Sequence, residues 1–243
     1  LQLGRVPNQT ANIIRALDKA GLMGRNLFVV GTNALFAYEV KAGVQFSGDL
    51  LATEDADFLW DARRSIGLAM ADVRADGVIG ILKSVDKSFS TAAAHGFRAV
   101  NDDGYMVELI CPEDKGFLLR QERRISEAID ELSPIPIEGL QWLLNAPKIE
   151  ETVISDNSRP LRIACVDPRV FALHKLWLSQ QPMRNALKRP RDAAQAHAVA
   201  ALCNTYFLSK FTAKDLSALP HSICSLATDL KDKAENFRLE DDF

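Results

Sequence analysis

Two carboxylates two residues apart, Asp55 and Asp57, stand inside the run Thr53-Glu54-Asp55-Ala56-Asp57-Phe58-Leu59. In a strand, residues two apart point to the same face, so these acids project side by side while Ala56 and Phe58 face the core. Adjacent carboxylates repel unless something neutralises them, and a divalent cation is the usual solution. Glu54 is one residue out of phase and reads as solvent-facing. A second kind of chemistry is offered by Phe28-Val29-Val30-Gly31-Thr32-Asn33-Ala34-Leu35, a short buried strand, a tight glycine turn and a helix start. Backbone N–H groups at a helix N-terminus suit a phosphate. A carboxylate pair beside a phosphate seat points to metal-assisted phosphoryl chemistry on a nucleotide.

A third acid lies further on. Phe97 to Val100 and Tyr105 to Ile110 flank Asn101-Asp102-Asp103-Gly104, and Asp-Gly between two β-prone runs predicts a hairpin. In the second strand Glu108 is a charge in a run otherwise apolar on both faces. That placement is costly unless Glu108 pairs with an arginine or binds a metal.

The elements that must position these residues follow from periodicity and stop signals. A first helix is expected to about Ala20, capped by Asn8 or Thr10, with Ala11, Ile14 and Leu17 on one stripe. Leu27–Val30 reads as a buried strand and 33–42 as a helix ending at Gly43. The stretch 43–53 reads as irregular, and 55–60 as the acidic strand. Helices are expected over 62–75 and from about Val78 to Val85. Beyond Cys111-Pro112 the texture changes: 113–133 is charged, with Arg120, Arg123 and Arg124, and 134–147 carries three prolines. Two β-prone runs, 149–154 and 161–166, straddle Asp156-Asn157-Ser158. Asp167-Pro168 opens a helix with an N-cap and an N1 proline, and Pro190 opens another to about Tyr206. The tail reads as helical and polar.

These 243 residues, 47% hydrophobic with a formal net charge of −3, can build a real core but carry no global signature of nucleic-acid binding. No apolar run is long enough to span a membrane. Cys111, Cys165, Cys203 and Cys224 form no CxxC pair and read as buried reduced thiols, which favours a cytoplasmic location. The chain opens on Leu1 rather than Met, allowing for residues before it, and LQLGRVPNQT lacks a signal-peptide pattern.

In this order (Val30-Gly31-Thr32-Asn33-Ala34-Leu35, then Thr53-Glu54-Asp55-Ala56-Asp57, then Val107-Glu108-Leu109) the chain resembles the DNA polymerase β-type nucleotidyltransferase superfamily. In detail it is similar to bacterial nucleotidyltransferase-fold proteins that include the AbiE toxin-like group. Ala172-Leu173-His174-Lys175-Leu176 and Lys188-Arg189-Pro190-Arg191-Asp192 extend the likeness, which covers about residues 25–205. The chain departs from the family in having Thr32 where Gly or Ser is frequent, and Glu108 where Asp is frequent.

The resemblance implies an α/β (α+β) fold, a small mixed sheet flanked by helices with a largely helical C-terminal half. It implies a catalytic core over 1–112 and a helical region over 113–243 that covers the cleft. Asp55 and Asp57 would hold two Mg²⁺ ions, with Glu108 completing the metal site and helping to activate the attacking hydroxyl. Gly31 and Thr32 would hold the β- and γ-phosphates of an NTP such as ATP. Lys175 would contact triphosphate or the leaving pyrophosphate, and Lys188 and Asp192 would belong to the nucleotide site. The implied reaction moves an NMP from an NTP to a hydroxyl of RNA (tRNA ends are the precedent), a protein or a small molecule. A non-catalytic nucleotide-binding module, part of a toxin–antitoxin-like pair, is the alternative on the same fold.

Plainer readings stand beside these. Lys175 reads most simply as a solvated helix residue, and Asp192 as an acid compensating a helix dipole. Arg184, Lys188, Arg189 and Arg191 are the densest basic cluster, a solvated helix start or a seat for triphosphate or RNA. A carboxylate-pair glycosidase needs its acids about 5–10 Å apart across a cleft, and adjacent strand positions fit a metal better.

Overall fold

The computed structural model describes residues 4–63, 71–91, 96–113, 125–126, 128, 130–207, 211, 216–217 and 219–234. Among them, nine strands form one mixed sheet in the order β1-β8-β9-β2-β3-β6-β5-β4, with β7 pairing against β6. The strands are β1 (Gly4–Val6), β2 (Leu27–Val30), β3 (Asp55–Trp60), β4 (Ser90–Thr91), β5 (Arg98–Val100), β6 (Met106–Pro112), β7 (Ile135–Ile137), β8 (Lys148–Ser155) and β9 (Pro160–Val166). The helices are α1 (Asn8–Lys19), α2 (Leu35–Ala42), α3 (Gly48–Leu51), α4 (Ala71–Val85), α5 (Leu140–Asn145), α6 (Pro168–Ser179), α7 (Arg189–Thr205), α8 (His221–Cys224) and α9 (Leu226–Ala234). The mixed α/β class and the helix-flanked sheet are as expected. The sheet is larger than expected, because β8 and β9, an antiparallel pair, dock through β9 onto β2 in parallel. Strands from both sides of residue 112 thus share one sheet.

At the centre, β2 and β3 are antiparallel and β3 and β6 parallel. All four residues of β2 are buried, and in β3 partly exposed acids alternate with buried Ala56 and Phe58. The expected hairpin forms between β5 and β6, with Val100 opposite Met106 and Arg98 opposite Glu108. Asn101 Oδ1 accepts from the Tyr105 N–H at 2.7 Å and fixes the turn.

Two local expectations are corrected. Pro7, not Asn8 or Thr10, occupies the N-cap of α1. Asn8 instead accepts from the Asn157 N–H at 3.1 Å, and the Thr10 hydroxyl shares a 2.7 Å hydrogen bond with the Tyr105 hydroxyl. The stretch 43–53 contains the short helix α3, which buries Leu50 and Leu51. Of the helix expected over 62–75, residues 64–70 lie outside the described residues and 71–75 are helical. Helical structure resumes within α4, which kinks at Gly77 (φ +66°), so the expected second helix near Val78 begins at that kink. There the buried Glu131 carboxylate accepts from the Val78 and Ile79 N–H groups. Arg120, Arg123 and Arg124 also lie outside the described residues.

The C-terminal capping reads as expected. Asp167 Oδ1 accepts from the Arg169 N–H at 2.8 Å and Pro168 follows it. Pro182 lies past the end of α6, and α7 starts with proline in its first turn. Cys111, Cys165 and Cys203 are buried free thiols, and Cys224 is half-buried.

Candidate functional site

The sheet register brings the three acids together. Asp57 lies opposite Val30 on β2 and opposite Glu108 on β6, and Asp55 lies opposite Met106. Three carboxylates therefore share a small area of sheet where β2 ends and the glycine turn begins. The consequence is legible at Asp57. Burial, then the neighbouring charges of Asp55 and Glu108, push its carboxyl up to about 7 against the opposing pull of Lys175 and Lys188. The side chain keeps a partial opening to solvent. Asp55 accepts from the Thr53 hydroxyl and meets Lys188 Nζ at 3.8 Å. Glu54 is exposed, as expected, because it lies in the bend just before β3 rather than within the strand.

Glu108 is tied down. Arg98, its partner across the hairpin, donates Nε to Glu108 Oε1 at 2.7 Å and makes a second contact through Nη2. Both side chains keep contact with solvent, 43% and 19% exposed, so the pair is not locked in the interior. Among the described residues, no three His, Cys, Asp or Glu converge into a ready-made metal centre. The donor set still suits a hard divalent cation. Asp55 and Asp57 are oxygen ligands on one face, and burial followed by the Asp55 and Glu108 charges raises the Asp57 carboxyl to about 7, a cost that a bound cation would relieve.

The glycine turn is a single 3₁₀ turn, Gly31–Ala34, that runs straight into α2. Gly31 has φ +65°, and a Cβ there would stand 2.5 Å from Asp57 Oδ2. Only glycine lets the backbone turn this closely past the carboxylate. The adjacent Thr32 and Asn33 are buried. The Asn33 amide donates to the Asp55 carbonyl at 2.8 Å, fastening the turn to the start of β3. Thr32 Oγ1 accepts from Gln195 Nε2 of α7 at 3.2 Å. The turn and the acids are thus fixed to each other by backbone register and by side-chain amides.

On the helical side, Lys175 is buried, only 6% exposed, which corrects its reading as a solvated residue. Burial lowers its pKa, but its ammonium donates to Asp192 Oδ1 at 2.7 Å and the Asp192 charge opposes that fall. Arg184 donates to the other oxygen, Oδ2, at 2.7 Å. Asp192 is 1% exposed. Burial would raise its carboxyl, yet the Lys175 charge and the hydrogen bonds from Arg184 and Lys175 hold it below the usual carboxylate range. The aspartate at the start of α7 is therefore more than a dipole-compensating surface acid. The remaining basic cluster is spent largely on its own chain. Arg189 donates to the Arg184 and Pro182 carbonyls, and Arg191 donates to the Ala52 carbonyl at 2.6 Å, joining α7 to the segment before β3. Lys188 is the exposed member, and it faces Asp55.

Four residues near the site were not singled out from sequence. Arg98 had only a partial signal: counting pairs outward from a turn over Asn101–Gly104 places Phe97 opposite Glu108, and the observed register is one residue off because Asn101 itself pairs with Tyr105, which sets Arg98 opposite Glu108. Tyr105 lies beside the acids, and burial together with Asp55 and Asp57 pushes its hydroxyl up to about 12 against the Thr10 hydrogen bond, so it stays protonated. Asn33 and Gln195 act through contacts between elements 22 to 163 residues apart, for which local patterns carry no signal.

Comparison with known proteins gives a family for the chain. A family model described as Nucleotidyltransferase matches residues 8–220. No curated protein matches the sequence. The chain is similar to an antigenic nucleotidyltransferase-like protein from Paracoccidioides brasiliensis, with 14% identity, coverage of 95% of this chain and 94% of that one, and a TM-score of 0.40.

Proposed function

The chain belongs to this nucleotidyltransferase family, and from that premise we propose that it transfers an NMP from an NTP such as ATP to a hydroxyl acceptor, releasing pyrophosphate, at the face bearing Asp55, Asp57 and Glu108. The observation that carries the reading is the Gly31 turn packed so close to Asp57 that an added Cβ would stand 2.5 Å from its carboxylate oxygen, which sets the turn read as a phosphate seat beside the acids. The DNA polymerase β-type superfamily, and within it the AbiE toxin-like group, is the finer placement that the order of motifs supports.

Asp55 and Asp57 would hold Mg²⁺, two ions by the family pattern, and Glu108 would join them on leaving Arg98. When bound, the ions supply Lewis-acid charge to the attacking and leaving oxygens of an in-line displacement at the α-phosphorus. The chain's own groups do the rest. Gly31 and Thr32 offer backbone N–H groups and a hydroxyl to the β- and γ-phosphates. Lys188, exposed and already drawn to Asp55, is placed to meet triphosphate. Lys175 supplies positive charge behind Asp57, and Asp192 contributes by holding Lys175 and Arg184 in place. The acceptor oxygen forms the new bond to the α-phosphorus, the bond to the β-phosphate oxygen breaks, and the acceptor proton passes to a carboxylate, Glu108 by the resemblance. Residues 1–112 carry the turn and all three acids, and 113–243 carry the cations, a division of labour across one sheet. The acceptor is an RNA such as a tRNA end, a protein or a small molecule, and the setting is cytoplasmic.

One observation favours a second reading. Glu108 is engaged by Arg98, so the chain as it stands could hold nucleotide without turnover, as an interaction module of a toxin-like pair. Pyrophosphate release separates the two. Wild type and Asp55→Ala/Asp57→Ala are incubated with each of the four NTPs, Mg²⁺ and pools of RNA, protein and small hydroxyl acceptors. Release by wild type alone supports transfer, and the labelled product names the acceptor. NTP binding without release above the double variant supports the module.

A further inference from the structure

Gln195 is fully buried on α7, and its amide reaches across to the phosphate turn. Its Nε2 lies 2.7 Å from the Leu50 carbonyl oxygen and 3.2 Å from Thr32 Oγ1. A backbone carbonyl can only accept, so the atom facing Leu50 must be the nitrogen. One of its two hydrogens goes to Leu50. The other goes to Thr32, whose oxygen therefore accepts. A hydroxyl has a single hydrogen, and with its oxygen engaged in this sense that hydrogen is left to be given away. Gln195 Oε1, by contrast, is buried with no hydrogen-bond partner among the described residues. An orphaned buried acceptor is costly, so the amide is held in this sense by what its nitrogen does.

We infer that Gln195 is a positioning residue for triphosphate: by donating to Thr32 it commits the Thr32 hydroxyl to act as a donor, the sense that phosphate oxygens require. The inference rests on the reading of the Gly31-Thr32 turn as the phosphate seat. It also explains why α7, far along the chain, is fastened to that turn and to α3 by one side chain. Phosphate oxygens at neutral pH accept hydrogen bonds and give none. A Thr32 hydroxyl free to point its hydrogen back at the protein would meet them with a lone pair.

The test is a double-mutant cycle read by calorimetry, with Mg-ATP and inorganic triphosphate as probes. The variants are Thr32→Val, Gln195→Met and the pair. Thr32→Val and Gln195→Met each weaken triphosphate binding roughly tenfold, the scale of one charge-assisted hydrogen bond. The pair is no weaker than Thr32→Val alone, because Gln195 acts through Thr32. Wild-type affinity in Gln195→Met, or losses that multiply in the pair, overturns the inference. Should Gln195→Met fail to fold by circular dichroism, Gln195→Glu decides. Its carboxylate draws the Thr32 hydrogen to itself, so triphosphate affinity falls at least about tenfold while adenosine affinity does not. Unchanged triphosphate affinity overturns the inference. A wild-type protein that binds neither probe removes the transferase reading itself, whereas wild-type binding with unaffected variants removes only the role of Gln195.

Discussion

Two recessed aspartates lie within reach of the same lysine, and they respond in opposite directions. Asp192 accepts from Lys175 and Arg184, one on each oxygen, and is held below the usual carboxylate range despite its burial. Asp57 has no such partner, shares its face with Asp55 and Glu108, and is pushed up to about 7. The first is a finished ionic lock that joins α6, α7 and the loop between them. The second is a carboxyl group at which Lys175 and Lys188 do not offset burial and the like charges beside it. The contrast separates a carboxylate that holds the fold from one that receives a ligand, and burial alone could not have done so.

Breaking the contrast should show in opposite readouts. Asp57→Asn is expected to lower pyrophosphate release about a thousandfold or more, in line with losing a group that seats the metal charge, while leaving urea-unfolding stability unchanged or higher because a like-charge repulsion is gone. Asp192→Asn should do the reverse. It strands Lys175 in the interior and should cost about 3–5 kcal/mol in the same urea unfolding. A third change tests the contact between turn and acid. Gly31→Ala forces a Cβ onto Asp57 at a positive φ, and should cost about 1–3 kcal/mol and abolish nucleotide-induced stabilisation in a thermal-shift assay.

The pH dependence sharpens the same point. Asp57 is raised in the folded state, so in metal-free protein its contribution to stability is present below the ordinary carboxylate pKa and is lost as pH rises towards 7. A cation competes with that proton, so Mg²⁺-induced stabilisation should grow with pH up to about 7 and level off above it. The rise should vanish in Asp57→Asn, which also separates it from Glu39, another carboxyl that burial pushes up to about 7. The smallest effect is expected at the rim. Arg98→Met removes a solvent-exposed ion pair, should change stability by less than about 1 kcal/mol, and should tighten Mg²⁺ binding by up to about fivefold as Glu108 is released.

Much of the acid face could be read in the sequence because it is local. The strand phase of Asp55 and Asp57, the glycine turn and the hairpin that carries Glu108 are all set by neighbours within a few residues, whereas the parallel pairing of β3 with β6 that sets Glu108 beside Asp57 is not. The enlarged sheet was hidden because the docking of β9 onto β2 joins segments more than a hundred residues apart. Lys175 shows the same limit from the other direction. Its position one residue off the apolar stripe of α6 suggested solvent, and only the packing of α7 against α6 closes it in with Asp192. Gln195 lies among alanines in a helix of weak amphipathic character, and nothing local marks it as the link between α7 and the turn.

The central claim is that the Asp55–Asp57 face takes a divalent cation together with nucleotide. It is tested most directly by Mn²⁺ binding, followed by electron paramagnetic resonance in the presence of a non-hydrolysable ATP analogue, for wild type, Asp55→Ala/Asp57→Ala and Arg98→Met. The account predicts bound Mn²⁺ in wild type, none above free nucleotide in the double variant, and binding at least as tight as wild type in Arg98→Met. Equal binding by wild type and the double variant would contradict it.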